Sequence, residues 1–163
     1  MHAITHLLRQ LDHAYDRRSW HGTNLRGSLR GVTAAQAAWR PGPDRHNIRE
    51  LTVHAAYWKY AVCRRLTGEA RGSFPIEGSN WFPRSGGDAR AWREDLALLK
   101  EVHARLRAAV AALPASRLGQ KAVGGATTHF DLVAGVIAHD LYHAGQIQLL
   151  KRLSRKTRPG TRG

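Results

Sequence analysis

The chain has 163 residues, one cysteine and a formal net charge of +14 at pH 7. This length suits one domain, and a lone cysteine excludes an internal disulfide and a zinc site built from cysteines. No run of 18 apolar residues is present and the first residues lack the apolar block of a signal peptide, so no membrane span and a cytoplasmic setting are expected.

The basic charge is concentrated at the C-terminal end. Residues 151–163 contain six basic residues and no acidic residue. We predict one folded domain over residues 1–153, followed by a basic, disordered tail over residues 154–163. Because no motif that reads nucleic acid accompanies the charge, nucleic acid is not an expected partner.

Apolar periodicity predicts a first helix over roughly residues 3–19, followed by a loop that contains several glycines. Thr33 and Gln36 have the spacing of a capping box, which predicts a short helix ending near Trp39. The sequence RPGPDR then interrupts the chain before the second long helix.

The second long helix is predicted from its capping residues. Asn47 and Glu50 mark its start, and it is expected to run to about Leu66 and to stop at Gly68. The loop that follows is long and contains two prolines and several glycines, and a loop of this length tends to be functional or mobile. Its aromatic residues are expected to fold back over the body of the protein: Phe74, Trp81 and Phe82.

Two more helices complete the predicted domain. Asp88 is expected to cap the third, which ends before Pro114. Thr128 and Asp131 are expected to begin the fourth, which runs to about Leu153. Four helices separated by loops predict an all-α protein with a four-helix bundle.

The sequence HDLYHAGQI places His139 and His143 one helical turn apart, where both rings can bind one metal ion. It resembles the HExxH motif of zinc proteases, with Asp140 in the place of the glutamate. Such proteases take a third ligand from beyond the helix, but no Asp, Glu, His or Cys follows His143. We therefore set protease activity aside and expect Asp140 to face away or to steady a neighbouring histidine.

The spacing of two histidines alone is not specific, because His2 and His6 share it. The 139/143 pair differs in lying on an apolar stripe of the longest apolar segment, with Gln146 beside it. The pattern leaves two interpretations open: a metal site, or two core histidines that are hydrogen-bonded to neighbours.

Any third ligand must come from upstream of the pair. His54 is the best candidate, because it lies within a helix on the face that carries apolar residues. His103 is flanked by charged residues and is expected to be exposed, whereas His46 and His129 are expected in loops or caps. Cys63 lies about 160–180° around the helix from His54 and is not expected to be a ligand. We also do not expect a di-iron site, because such sites in helical bundles use glutamate and histidine in the spacing E-x-x-H, which this chain lacks.

Three segments together resemble the DinB-like superfamily, also described as DinB/YfiT-like metalloenzymes. They are WRPGPDRHNIRELTVHAAYWKYAVCRRLTG, the loop FPIEGSNWFP and the closing HDLYHAGQIQLLKR. The resemblance covers residues 7–153, and its most specific parts are the histidine of the second long helix and the HxxxHxxQI pattern of the fourth.

The resemblance implies a four-helix bundle with up-down-down-up connections that frequently forms homodimers. It also implies a divalent metal, most often zinc or nickel, held by His54, His139 and His143. Related branches include transferases that use low-molecular-weight thiols such as bacillithiol, mycothiol or glutathione. A small-molecule substrate is therefore expected.

A three-histidine metal site with an open position can activate water, as in a hydrolase, or a thiol, as in a thiol S-transferase. Four residues are expected around it, as pocket or metal-supporting residues: Tyr57, Trp58, Tyr142 and Gln146. The sequence identifies no further catalytic acid or base. The alternative is a non-catalytic protein, stress-related or basic and nucleic-acid-binding, in which the metal is structural.

Overall fold

The computed structural model describes residues 3–156. This part of the chain contains six α-helices, a 3₁₀ turn and one isolated β-bridge, and no strand. The helices are α1 (Ala3–Tyr15), α2 (Leu25–Leu29), α3 (Ala34–Ala38), α4 (Ile48–Thr67), α5 (Ala89–Ala112) and α6 (His129–Lys156). The predicted all-α class is thus confirmed.

The four long helices pack side by side. Both α1 and α4 contact α5 and α6, while the short α2 rests on α6 and the short α3 on α4. Buried apolar side chains form two clusters between the helices, one containing Leu11, Val62 and Leu106 and the other Leu51 and Ile147. This packing holds α4 and α6, which carry the predicted ligands, against each other.

The predicted capping residues begin and end α4. The Asn47 side chain accepts a hydrogen bond from the Glu50 backbone N–H at 2.8 Å, and the Glu50 carboxylate accepts one from the Asn47 backbone N–H at 3.3 Å. Gly68 ends the helix with a φ of 85°, a left-handed conformation that glycine adopts without a steric cost. Asp88 and Thr33 likewise cap α5 and α3, as predicted.

The segment after α1 differs from the prediction. The first helix ends at Tyr15 instead of near residue 19, and the loop that follows contains α2. Asn24 explains both differences, because its side-chain amide donates to the Arg17 carbonyl at 2.9 Å and its oxygen accepts from the Gly27 N–H at 2.8 Å. One side chain therefore fixes the turn after α1 and caps α2.

The last helix is longer than predicted, because α6 continues to Lys156. The Gln36 side chain donates to the Ser154 hydroxyl at 2.9 Å, so the predicted domain boundary at 153/154 lies inside a packed helix. Residues 157–163 of the predicted tail lie outside the described residues. Within residues 3–156, no helix combines the length and apolar character needed to cross a bilayer.

Candidate metal centre

Three histidines meet between α4 and α6 with their Nε2 atoms close together. The Nε2 atom of His139 lies 3.1 Å from that of His54 and 3.0 Å from that of His143. Tetrahedral zinc, bound by imidazoles at about 2.0–2.1 Å, places its ligand nitrogens about 3.3 Å apart. The three rings are therefore spaced to hold one ion, and they are the three histidines predicted as ligands.

Hydrogen bonds fix the tautomer of two of these rings. The Nδ1 atom of His54 lies 2.7 Å from the Asn80 carbonyl oxygen, and that of His143 lies 2.6 Å from the Gln146 side-chain oxygen. Because both oxygens only accept, each Nδ1 donates its proton. In the neutral rings each Nε2 then carries a lone pair, as a metal ligand requires.

The third ring lacks such a partner. The Nδ1 atom of His139 is buried and has no hydrogen-bond partner among residues 3–156. Its Nε2 atom nevertheless faces the Nε2 atoms of the other two rings. With its proton on Nδ1, the ring of His139 would present a third Nε2 lone pair to the same point, so the donor set fits a metal ion.

Burial keeps the three rings neutral. It is the main cause that lowers the pKa of His54, and it lowers the pKa of His139 to about 3 and that of His143 to about 4. Repulsion from the other two rings, if they were protonated, and from Lys59 lowers the pKa of His139 further, whereas the hydrogen bond to Gln146 opposes the lowering of the pKa at His143. All three rings are therefore available as ligands near pH 7.

A stack of rings covers one side of the centre. The Trp81 ring lies flat on the His54 ring, with centroids 3.8 Å apart and 10° between the planes. Trp81 also stacks on His46, with centroids 3.6 Å apart. Trp81 therefore lies between the two imidazoles and limits the orientation of the His54 ring.

Asn80 connects the long loop to two residues of α4. It has a left-handed φ of 64°, a conformation that asparagine tolerates. Its carbonyl accepts from His54, and its side-chain oxygen accepts from the Trp58 indole N–H at 3.0 Å. We did not predict this residue, since the sequence GSNW indicates a turn but not which carbonyl faces a histidine.

The aromatic residues of the loop fold back over the body, as predicted. Phe82 is buried, and Phe74 and Trp81 are half-buried. Tyr57 meets the rings of Phe74 and Phe82 with centroids 5.4 Å away, so this predicted pocket residue holds the loop against α4.

The other three predicted pocket residues lie at different distances from the three histidines. Gln146 contacts a ligand directly, through its bond to His143. Trp58 makes T-shaped contacts with His54 and His139, with ring centroids 6.3 Å apart in both cases, and forms a wall of the site. Tyr142 is 64% exposed and makes a T-shaped contact with the His143 ring, with centroids 5.1 Å apart.

Asp140 faces away from the centre and forms a buried ion pair with Lys59. Neither side chain has any solvent exposure. Burial raises the pKa of the carboxyl and lowers the pKa of the amine, while their mutual attraction opposes both shifts. Asp140 does not steady a histidine; it joins α6 to α4.

The remaining candidates are placed away from the cluster. His103 is buried and stacks on Tyr15 with centroids 3.5 Å apart, so its predicted exposure is wrong. His129 is the first residue of α6 and donates from Nδ1 to a backbone carbonyl. Cys63 is buried and free, in keeping with its exclusion as a ligand.

Comparison with known proteins identifies the family. The family model described as the DinB superfamily matches residues 16–147, which is most of the chain and includes all three histidines. No curated protein and no solved structure matches. The match covers α4 and residues 129–147 of α6, which carry the three histidines, and the chain therefore belongs to the DinB superfamily.

Proposed function

We propose that this protein is a divalent-metal-dependent enzyme in which His54, His139 and His143 hold zinc or nickel through their Nε2 atoms. Its proposed framework is a four-helix bundle with up-down-down-up connections, and its substrate is a small molecule. The observation that best supports this proposal is that the three Nε2 atoms lie close together. The Nδ1 atoms of His54 and His143 donate hydrogen bonds to other groups, which leaves their Nε2 atoms free to bind a metal.

A divalent ion held by three imidazoles lowers the pKa of a coordinated water or thiol, which gives hydrolase or thiol S-transferase chemistry. The residues of the chain position the ligands and limit the access of water. Asn80 and Gln146 orient two rings, Trp81 covers one of them, and Trp58 forms a wall.

An enzymatic role is favoured over a purely structural metal by the number of ligands and by the surroundings of one ring. Structural zinc sites are almost always closed by four protein ligands, whereas catalytic sites use three and leave a position open. His54, His139 and His143 are the only such group within residues 3–156. The ring of His139 also lines a cavity.

Elemental analysis of the purified protein tests the ligand set. We expect one equivalent of zinc or nickel in the wild type and loss of stoichiometric metal in His54→Ala and in His143→Ala. The matched control is the double variant His2→Ala/His6→Ala, which removes the other HxxxH pair and should keep the metal. Retention of the metal in His54→Ala would contradict the proposal.

Cobalt substitution separates the two chemistries. Cobalt bound by three histidines should change its visible spectrum when a low-molecular-weight thiol such as glutathione coordinates it. A spectral change on addition of thiol that is lost in His143→Ala supports the thiol S-transferase. A cobalt spectrum that does not change when thiol is added supports the hydrolase. Failure of cobalt to bind would contradict both.

A further inference from the structure

A cavity of about 180 Å³ lies between α4 and α6 beside the three-histidine centre. One end is formed by the ring of His139, and the walls are largely apolar, with Trp58, Val62 and Val136 among them. Sites for small ligands are usually lined in this way, with a few polar groups that set the orientation of the ligand. The cavity therefore suits the apolar body of a substrate.

Arg65 is the cation that lines this cavity. Its Nε atom is buried and has no hydrogen-bond partner, and no residue in the described part of the chain forms an ion pair with its guanidinium. Burying a donor without an acceptor is costly. An anion bound in the cavity would give this guanidinium the partner that it lacks.

Asp131 also lines the cavity, and its carboxylate is hydrogen-bonded within the first turn of its own helix. Its carboxylate accepts from the Thr128 hydroxyl at 2.6 Å, and it lies in the first turn of α6. A carboxylate in this position stabilises the N-terminus of a helix. It lies beyond ion-pair distance of Arg65, so the guanidinium remains available to a ligand.

The position of the guanidinium depends on Gly125. A Cβ atom at residue 125 would lie 2.3 Å from the Nη2 atom of Arg65, which is too close for both to stay in place. The backbone of Gly125 thus forms a support for the arginine. A larger side chain there would displace the end of a flexible side chain and leave the charge intact.

We propose that the cavity binds the substrate as a small carboxylate with an apolar body, whose carboxylate pairs with Arg65 and whose other end reaches the three-histidine centre. This assignment rests on the proposed metal-dependent function. The planar guanidinium can donate two parallel hydrogen bonds to a carboxylate, which sets the orientation of the ligand as well as its affinity.

Binding of a matched pair of probes tests the assignment. We would titrate zinc-loaded protein with 3-phenylpropionate and with 3-phenylpropionamide by calorimetry, because the two differ mainly in charge. The acid should bind more tightly than the amide. Arg65→Gln should weaken binding of the acid by at least about tenfold and leave the affinity of the amide unchanged.

Two further variants separate position from charge. Arg64→Gln removes the same charge one residue away, where the side chain donates to the Glu69 carbonyl instead, and should leave both affinities unchanged. Gly125→Ala retains the arginine but moves its guanidinium, and should weaken binding of the acid alone. A phosphate monoester, 2-phenylethyl phosphate, identifies the head group: weaker binding than the acid supports the carboxylate, and tighter binding overturns it.

The metal content of each sample distinguishes the two proposals. One equivalent of zinc with no effect of Arg65→Gln on the acid would overturn the carboxylate site and leave the metal centre intact. If the wild type takes up no zinc when zinc is supplied, a selective effect of Arg65→Gln on the acid would support the anion site and overturn the metal-dependent function. Equal affinities of acid and amide for the wild type would overturn the carboxylate site directly.

Discussion

His103 is a buried imidazole that lies outside the metal centre. It stacks on Tyr15, and burial is the main cause that lowers its pKa to about 3. The charges of Lys59 and Arg107 lower the pKa further, whereas the charge of Asp12 raises it. The ring therefore stays neutral in the folded protein at pH values where an exposed histidine is charged.

This ring should make stability depend on pH. Above about pH 6.5 the ring is neutral in both the folded and the unfolded protein. Below that pH the ring becomes protonated in the unfolded chain, whereas in the folded protein it stays neutral until about pH 3. The free energy of unfolding should therefore fall as pH decreases from about 6.5 towards about 3. In His103→Phe, which keeps a stacked ring, the decline should be shallower by up to about 1.4 kcal/mol per pH unit.

Urea denaturation at pH 6.5, 5.5 and 4.5 measures this slope. The matched control is His6→Phe, which removes an exposed imidazole of α1 and should keep the slope of the wild type. The same slope in His103→Phe as in the wild type would show that the ring is protonated equally in both states.

Three residues have roles that were not predicted from the sequence alone. The burial of His103 follows from helical spacing, since Leu99, Leu106 and Val110 lie on the same face, but the charged neighbours on other faces obscured it. Asn80 acts through a backbone carbonyl, which every residue has. The proposed role of Arg65 rests on its lack of an ion-pair partner among residues 3–156, which only the three-dimensional arrangement reveals.

At the level of the helices, the Lys59–Asp140 ion pair joins α4 to α6. Lys59 lies five residues after one predicted ligand, and Asp140 directly follows another. The pair thus fixes the two helices next to the point where their histidines meet. Its isolation from water makes each charge dependent on the other.

Removing one partner should therefore cost more than removing both. Lys59→Met or Asp140→Leu alone should lower the free energy of unfolding by about 3–5 kcal/mol, because each leaves an unpaired buried charge. The double variant should regain most of that loss. Urea unfolding at pH 7 measures all three.

An exposed ion pair within α5 provides the control. Arg90 and Glu94 bond at 2.9 Å with side chains that are 81% and 63% exposed, so Glu94→Gln should change stability little. If the double variant at 59 and 140 loses as much stability as the sum of the single variants, the two residues do not act as a pair.

The ends of the long helices were largely predictable, while the short α2 was not. Capping residues act within a few positions, so Asn47, Asp88 and Gly68 identified boundaries without any knowledge of the fold. The cap of α2 at Asn24 is equally local, but this helix has only five residues and also depends on a distant helix, since the Lys151 amine donates at 2.8 Å to the carbonyls of Ser28 and of Arg30. The sequence around α2 does not indicate a contact with a residue that lies 121 positions further along the chain.

For the whole molecule, we propose a homodimer formed through α6. Three apolar residues lie within about 40° of one another on the outer face of that helix. Tyr142 is 64%, Leu149 57% and Leu153 37% exposed. A two-fold axis would pair this stripe with its own copy, which is the usual arrangement in symmetric dimers.

Light scattering at micromolar concentration should give the mass of a dimer for the wild type. Leu149→Glu places a charge in the centre of the stripe and should give a monomer. Val123→Glu is the matched control, because this residue is 58% exposed but lies in the loop before α6, and it should remain dimeric. A monomeric wild type would contradict the proposal.

The double role of Asn80 has a kinetic consequence. One residue of the long loop accepts hydrogen bonds from both His54 and Trp58, so the loop cannot detach without freeing a ligand ring to turn. Detachment of the loop would therefore release one of the three ligand rings, while His139 and His143 keep their places on α6. We expect a metal ion to dissociate faster in variants that loosen this loop, because they release its hold on the His54 ring.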